Sequence, residues 1–589
     1  MGFAGAGFKD ESIDGARKGS EFRRIIKYFH NKALLIVALI ISGICGVSSV
    51  LLLLVNKKAV SLFEDSDFLG ATVDVIKTGA VVAAIIIVCQ LAANTCQAIV
   101  SPLFLVDIRK KLYTSLMNAD IEFFDKHSYG AMVGRISEGV AYIRDVYVSL
   151  LFIAVNGICA SISGFVVGLI YGWKETLMFI AFPIALAIEL WLGLKWANHV
   201  YAKYQKAGTA ATEKAVSIVT QFRTVKSFDQ EKNEAEAFKK DLKDEEKILV
   251  KVSLVKAFIR MLGICILAGM VLTVTWYMIR EMVKDPQKIG MYEMSAIIMG
   301  ICLLAIGIFS TLSITDDFQQ AQEATRNICA IIEMKPRINP DQGKIVDNIK
   351  GDIEFRDVGF KYAGNEQWAV RNLSFKLEAG KTYAFVGESG CGKSTTLQLL
   401  QRFYDVNEGA IFIDGYDIRD LSPKSLRKAI SIVPQSPVLF SMSILDNIRY
   451  GRIDASEEEV STAAVTGNAH NFIMELPDNY RTFVAQTSLS GGQKQRICIS
   501  RAILSPTPIL LLDEATAALD TESEQLVQQS LENFRHGKTS IMVAHRLATV
   551  THADRILVFK EGKIAETGTH QELVALDGLY ADLVKYQLQ

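Results

Sequence analysis

The stretch Gly387-Glu388-Ser389-Gly390-Cys391-Gly392-Lys393-Ser394-Thr395 has the residue types and spacing to hold a chain of phosphates. Its glycines let backbone N–H groups close around phosphate oxygens without interference from Cβ atoms. Lys393 can reach β- and γ-phosphates, and the Ser394 hydroxyl is a hard ligand suited to Mg²⁺. The apolar run Thr382-Tyr383-Ala384-Phe385-Val386 before it reads as a buried strand. Thr396-Leu397-Gln398-Leu399-Leu400 after it reads as the start of a helix, whose N-terminus adds partial positive charge. An ordinary Gly-rich turn is the bland alternative, and the complete motif between a strand and a helix outweighs it.

The elements that must position this loop belong to a long chain. At 589 residues it exceeds a single core, so two or more domains are expected. Half of its residues are hydrophobic, and the net charge of −1 gives no global field that would draw a nucleic acid, so no nucleic-acid partner is expected. Nine cysteines are scattered without a C-x-x-C pair, which fits a reduced, largely cytosol-facing protein.

Six apolar stretches long enough to span a bilayer precede residue 320: Ala33–Val55, Ala80–Val100, Val146–Ile170, Leu177–Leu194, Leu254–Ile279 and Tyr292–Ile314. Pro183 and Glu189 interrupt the fourth. Lys and Arg alternate between the connections: seven in residues 1–32, three in 56–79, six in 101–145, one in 171–176, twelve in 195–253 and three in 280–291. The rich segments belong on the cytoplasmic side, so the expected topology is a multi-pass membrane protein with both termini cytoplasmic. The phosphate loop then lies where ATP is. The short connection 171–176 makes spans three and four a tight hairpin, while 195–253 reads as long cytoplasmic helices. Phe22–Phe29 reads as a basic amphipathic lead-in, either in the inner interface or solvated.

After Pro336 and Pro340 the pattern turns α/β, starting with the alternating strand Asp352–Val358. The fold class expected is an all-α transmembrane domain of six helices, residues 33–320, followed by an α/β P-loop nucleotide-binding domain, residues 351–589. Residues 1–32 form a cytoplasmic lead-in and 321–350 a linker.

Several motifs carry a family resemblance. Leu489-Ser490-Gly491-Gly492-Gln493-Lys494-Gln495-Arg496 resembles the signature of ABC transporters, at the spacing from the phosphate loop found in that family. Ile509-Leu510-Leu511-Leu512-Asp513-Glu514 resembles the Walker B strand. The resemblance implies that Asp513 holds Mg²⁺ and Glu514 polarises the attacking water as general base. Gln435 matches the Q-loop glutamine, with a role in catalysis and at the metal, and His545 matches the switch histidine. Ala518-Leu519-Asp520 matches the D-loop. Tyr362 sits where the family places an aromatic that stacks on adenine. In the membrane half, Phe123-Phe124-Asp125-Lys126 with Gly130 and Arg135 looks like the first intracellular loop of ABC exporters. Phe222–Phe228 followed by Glu231 looks like the second. Nearly the whole chain is similar to a half-transporter of the multidrug and P-glycoprotein type.

That resemblance implies a second half-transporter chain as partner, because the family sandwiches ATP between one phosphate loop and the opposed signature. Ser490, Gly491, Gly492 and Gln493 would contact ATP held by the partner, with a homodimer favoured and a heterodimer left open. The activity implied is ATP-driven export of a small amphipathic or lipid-like substrate across a lipid bilayer, with ATP and Mg²⁺ as cofactors. An ATP-gated channel or regulatory subunit, a peptide exporter, and a soluble ATPase with incidental apolar helices are the alternatives. Gln90, Asn94 and Gln97 share one face of span two, where interhelical hydrogen bonds compete with substrate contact. Glu189 is a carboxylate inside an apolar stretch, facing a cavity, a partner or the interface. The segment Tyr480–Ser488 departs from the family: it runs short before the signature and lacks a Gly-Glu-Arg-Gly-like sequence, so weaker coupling between ATP turnover and transport is expected.

Overall fold

A computed structural model describes residues 21–62, 68–126, 139–179, 221–284, 290–313, 315–486, 489–513, 534–543 and 550–587, with scattered positions between 181 and 219 and between 528 and 532. The chain divides into two compact units. The first comprises residues up to 117 and 127–334, the second residues 118–126 and 335–589.

The first unit is helical. Five helices among its described residues are long and apolar enough to cross a membrane: Lys32–Ser61, Leu69–Met117, Val140–Met178, Leu249–Glu281 and Met291–Ser310. A shorter apolar helix covers Ile184–Gly193. The chain reverses at Gly172, where the backbone leaves helical geometry (φ −169°, ψ 84°). A Cβ built on Gly168 would lie 2.7 Å from Thr176 Oγ1, whereas eight residues of unbroken helix would separate them by about 12 Å. The charged segment before the fifth stretch is continuous with it, as one helix over Glu231–Lys284.

Small residues bring these helices into contact. A Cβ on Gly300 would sit 2.6 Å from the Gly164 carbonyl oxygen, and one on Gly307 2.3 Å from that of Gly157. Apolar side chains gain nothing over lipid tails by burial, so close backbone approach and interhelical hydrogen bonds must supply the association. The polar face of span two does the latter. Cys45 Sγ lies 3.0 Å from Gln90 Oε1, Gln90 Nε2 donates to Asn94 Oδ1 at 3.3 Å, and Gln97 Nε2 donates to Ser149 Oγ at 3.1 Å. Gln90 and Gln97 therefore tie span two to its neighbours, while Asn94 braces Gln90 within the same helix.

The lead-in helix Glu21–Ile26 packs on protein. Ile25 and Phe29 are fully buried, and Phe29 meets the Phe104 ring at 5.8 Å. Arg24 Nη2 lies 2.5 Å from Glu333 Oε2 at the end of the helix Thr315–Glu333, and the Tyr28 hydroxyl donates to the same carboxylate. The apolar side of this helix thus packs on the helical bundle, and Arg24 of its basic side on one acid.

The described residues of the second unit form two sheets. An antiparallel sheet has the order β2-β1-β4-β5, with β1 Ile353–Phe360, β2 Val370–Leu377, β4 Glu408–Ile413 and β5 Tyr416–Asp417. A six-stranded sheet has the order β10-β9-β3-β8-β7-β6, comprising β3 Thr382–Gly387, β6 Ile430–Val433, β7 Ile509–Asp513, β8 Thr539–Val543, β9 Arg555–Lys560 and β10 Lys563–Gly568. All its pairings are parallel except β9 with β10. Parallel strands are covered on both faces and so read as continuous apolar runs, as in Leu510-Leu511-Leu512. A separate helical layer, Ile444–Arg449, Glu457–Thr466, His470–Met474 and Gly491–Leu504, has its own core around Ile448, Val460, Ile473 and Ile497.

Candidate functional site

Strand register sets the site. Phe385 of β3 and Asp513 of β7 both pair with Val543 of β8, so the carboxyl ends of three strands are level. That edge is where open α/β sheets bind ligands. The phosphate loop leaves β3 there and enters the helix Lys393–Leu400.

Two glycines in the loop have physical reasons to be glycine. Gly387 has φ +152°, and a Cβ there would stand 2.3 Å from the Phe559 carbonyl oxygen. Gly392 is the N-cap at φ +103°, and a Cβ there would stand 2.7 Å from Val370 Cγ1. Both positions combine left-handed backbone with no room for a side chain. Within the loop the Lys393 ammonium is buried and donates to the carbonyls of Gly387 at 2.7 Å and Glu388 at 2.8 Å. The Cys391 thiol lies 3.5 Å from the same nitrogen. Ser389 and Gly390 form the exposed lip of the loop, and Gly390 has open space where a Cβ would go.

Ser394 Oγ faces Asp513 Oδ1 at 3.4 Å. Residues 119 positions apart are thereby joined at the end of β7, an all-oxygen pair of the hard kind that Mg²⁺ selects. Gln435 is exposed just beyond β6, whose Val433 pairs with Leu512 of β7. Glu514 and His545 lie outside the described residues, as does Asp520 of the D-loop. The chain reaches the first directly from Asp513 and the second two residues after Val543.

Tyr362 is half-buried beside the loop. Its hydroxyl lies 3.1 Å from Thr395 Oγ1 and donates to Gln398 Oε1 at 2.8 Å. Burial is the main cause that pushes its phenol above the ordinary range. The ring stands edge-on to Phe360 and to Tyr404. Tyr404 is a residue that sequence reasoning missed. Its hydroxyl donates to Asp125 Oδ2 at 2.5 Å, and burial followed by the Asp125 carboxylate holds the phenol well above the usual tyrosine range. The signal lay in Arg402-Phe403-Tyr404-Asp405, an aromatic pair between charges just after the phosphate-loop helix. The short helix Ile121–Lys126 is held further by Asp120, which accepts from the backbone N–H groups of Arg337 and Ile338, and by the Glu122–Arg337 ion pair. A cleft of about 550 Å³ runs beside Tyr362, Tyr404, Glu122 and Arg337.

The signature begins a different helix. Ser490 caps Gly491–Leu504: its Oγ accepts from the Gln493 N–H at 3.2 Å, and its own N–H donates to Gln493 Oε1 at 2.9 Å. Ser490 and Gly491 are exposed and Gly492 is buried, while Leu489 anchors the helix start in the helical layer. The segment before it is tied down at Ser443, which bridges Phe483, and at Met442, whose carbonyl accepts from Val484 N–H. Thr487 and Ser488 lie outside the described residues.

Residues 370–517 match the family model for the ABC transporter, and residues 34–314 match that for the ABC transporter transmembrane region. The chain is 35% identical over 512 residues to "Multidrug resistance protein 3" of Entamoeba histolytica, covering 82% of this chain and 38% of that protein. It is 37% identical over 493 residues to "ABC transporter B family member 19" of Arabidopsis thaliana, covering 82% and 39%. It thus spans about two fifths of the length of these relatives. A solved structure, "Structure of a bacterial Atm1-family ABC exporter with ATP bound", superposes with a TM-score of 0.82 at 27% identity, covering 95% of this chain and 98% of that one. A helical membrane domain followed by the two-sheet unit with its phosphate loop fits all three comparisons: the chain belongs to the ABC transporter family, with the transmembrane region and the ATP-binding domain of that family in one polypeptide.

Proposed function

We propose that this chain couples ATP hydrolysis to the export of a small amphipathic or lipid-like substrate, working as a dimer of two such chains in a membrane. The observation that carries the reading is the Ser394–Asp513 pair beside the buried Lys393 ammonium, in a chain whose described residues include five apolar helices of membrane-spanning length. Ser394, Asp513 and the Gln435 amide offer oxygens of the hard kind that would hold Mg²⁺, which would supply positive charge against that of the phosphates.

The chain's own residues supply the rest. Lys393 swings from its loop carbonyls toward phosphate oxygens, and the N–H groups of Ser389 to Thr395 line the cradle. Glu514, next after Asp513 in sequence, takes the proton of the attacking water, and His545, two residues on from Val543 in sequence, contacts the phosphate. Tyr362 offers a ring for adenine, with its hydroxyl tied to the loop helix through Thr395.

Two exposed features support a dimer. The signature's hydrogen bonds close on themselves, leaving Ser490 and Gly491 exposed toward a ligand held elsewhere. In the second intracellular loop Phe222 and Phe228 are 50% and 70% exposed, rings that a partner chain would cover. Twofold pairing then makes two equivalent sites, and identical chains suffice. Lys/Arg-rich connections support cytoplasmic termini. The names of the multidrug resistance relatives support the substrate class.

The test uses inside-out vesicles containing the wild-type chain or Glu514→Gln. The wild type should accumulate an amphipathic dye against its gradient only with MgATP, while Glu514→Gln should bind nucleotide normally and neither hydrolyse nor accumulate. Dissipation of a dye or ion gradient on adding ATP, in place of accumulation, would favour an ATP-gated channel instead.

A further inference from the structure

Polar side chains in the apolar helices mostly find one another: Cys45 with Gln90, Gln90 with Asn94, Gln97 with Ser149, Asn56 with Ser295, Tyr171 with Tyr292. Glu189 behaves differently. It lies in the apolar helix Ile184–Gly193, its Oε2 is fully buried, and that oxygen has no hydrogen-bond partner. It points across to the long helix Glu231–Lys284 at Gly263. A Cβ built on Gly263 would meet Phe309 Cε2 at 3.4 Å, Glu189 Oε2 at 3.5 Å and Leu186 Cδ1 at 3.5 Å. Three helices thus bring an acid, an aromatic ring and an aliphatic wall around a notch that glycine leaves clear.

Neither protonation state is satisfied by these surroundings. A carboxylate taken from water into an apolar notch costs several kcal/mol unless a cation meets it. A neutral acid would still leave a buried oxygen unmatched. An ammonium group would resolve both, donating to Oε2 with the Phe309 ring beside it. A chain with an apolar body attached would continue along Leu186. We propose that Glu189, with Phe309 and Gly263, forms a binding site for the cationic head of an amphipathic organic amine. This names a substrate class for the exporter reading above and rests on it for the direction of movement, but not for binding.

The experiment titrates the full chain in nanodiscs with a naphthylbutylammonium ion and with naphthylbutanol, which has the same skeleton and no charge, following naphthyl fluorescence. The ammonium should bind the wild type, and Glu189→Gln should weaken it by roughly ten- to hundredfold, the range for a hydrogen bond to a charged group. Glu189→Asp should fall between them, and the alcohol should bind all three alike. Gly263→Val, which fills the notch without altering the acid, should also weaken the ammonium. Basal ATP hydrolysis should match the wild type in every variant, which certifies folding. Equal ammonium affinity in wild type and Glu189→Gln, or no ammonium binding by the wild type, overturns the site. An equal loss for the alcohol overturns it too, since charge would then not be what is read. Binding that follows the expected order without ATP-driven uptake would leave the site standing and sink the exporter reading. Uptake with unaltered binding in Glu189→Gln would do the reverse.

Discussion

Two helix N-termini in the second unit meet the same physical problem and answer it in opposite ways. The first turn of any α-helix has N–H groups without intrahelical acceptors. At Lys393–Leu400 the N-cap is Gly392, which has no side chain to offer and holds a left-handed backbone. Its end stays open, and Lys393 lies folded beside it. At Gly491–Leu504 the N-cap is Ser490, and its reciprocal pair with Gln493 closes the end. An open end with a lysine can gather several phosphate oxygens by itself. A closed end can add only what remains, chiefly the Ser490 hydroxyl proton, to a phosphate already held elsewhere. The difference between the two caps is the difference between a primary cradle and a secondary clamp.

Breaking the cradle should have the largest effect. Lys393→Ala removes the buried ammonium, so nucleotide affinity should fall by roughly ten- to hundredfold and hydrolysis by more, measured with a fluorescent ATP analogue and a phosphate-release assay. Ser490→Arg attacks the clamp. Nucleotide binding per chain should be unchanged, while hydrolysis should drop by about two orders of magnitude because the donor to the developing charge is lost. A parallel loss of binding would show that the signature belongs to the primary cradle and erase the contrast. The smallest effect should come from Gln493→Leu, which opens the capping box and leaves Ser490 in place. About 1 kcal/mol of stability should go, lowering the melting point of the nucleotide domain by roughly 2–4 °C, read by differential scanning calorimetry of the full chain. No shift at all would mean the closed cap contributes nothing.

The local chemistry of this protein can be read from short stretches of its chain. Gly387 to Thr395 need only their own backbone freedom and one helix end to become a phosphate loop, and the apolar run Ile509–Leu512 needs only burial to become a strand that ends in Asp513. Apolar length likewise specifies membrane-spanning helices without reference to a partner. What the fold alone decided are the pairings between residues far apart, where a side chain has several chemically equivalent partners and only packing selects one. Tyr404 finds Asp125 across 279 residues, and Arg24 finds Glu333 across 309. Gln90 and Gln97 could have faced a cavity on composition alone and instead close onto Cys45 and Ser149. Glu189, equally legible as an acid in an apolar stretch, is left facing glycine and phenylalanine. Motifs are short-range instructions that any context can execute. Partner choice is a long-range competition, settled only when close backbone approach at Gly164 and Gly300 has fixed which helix faces meet.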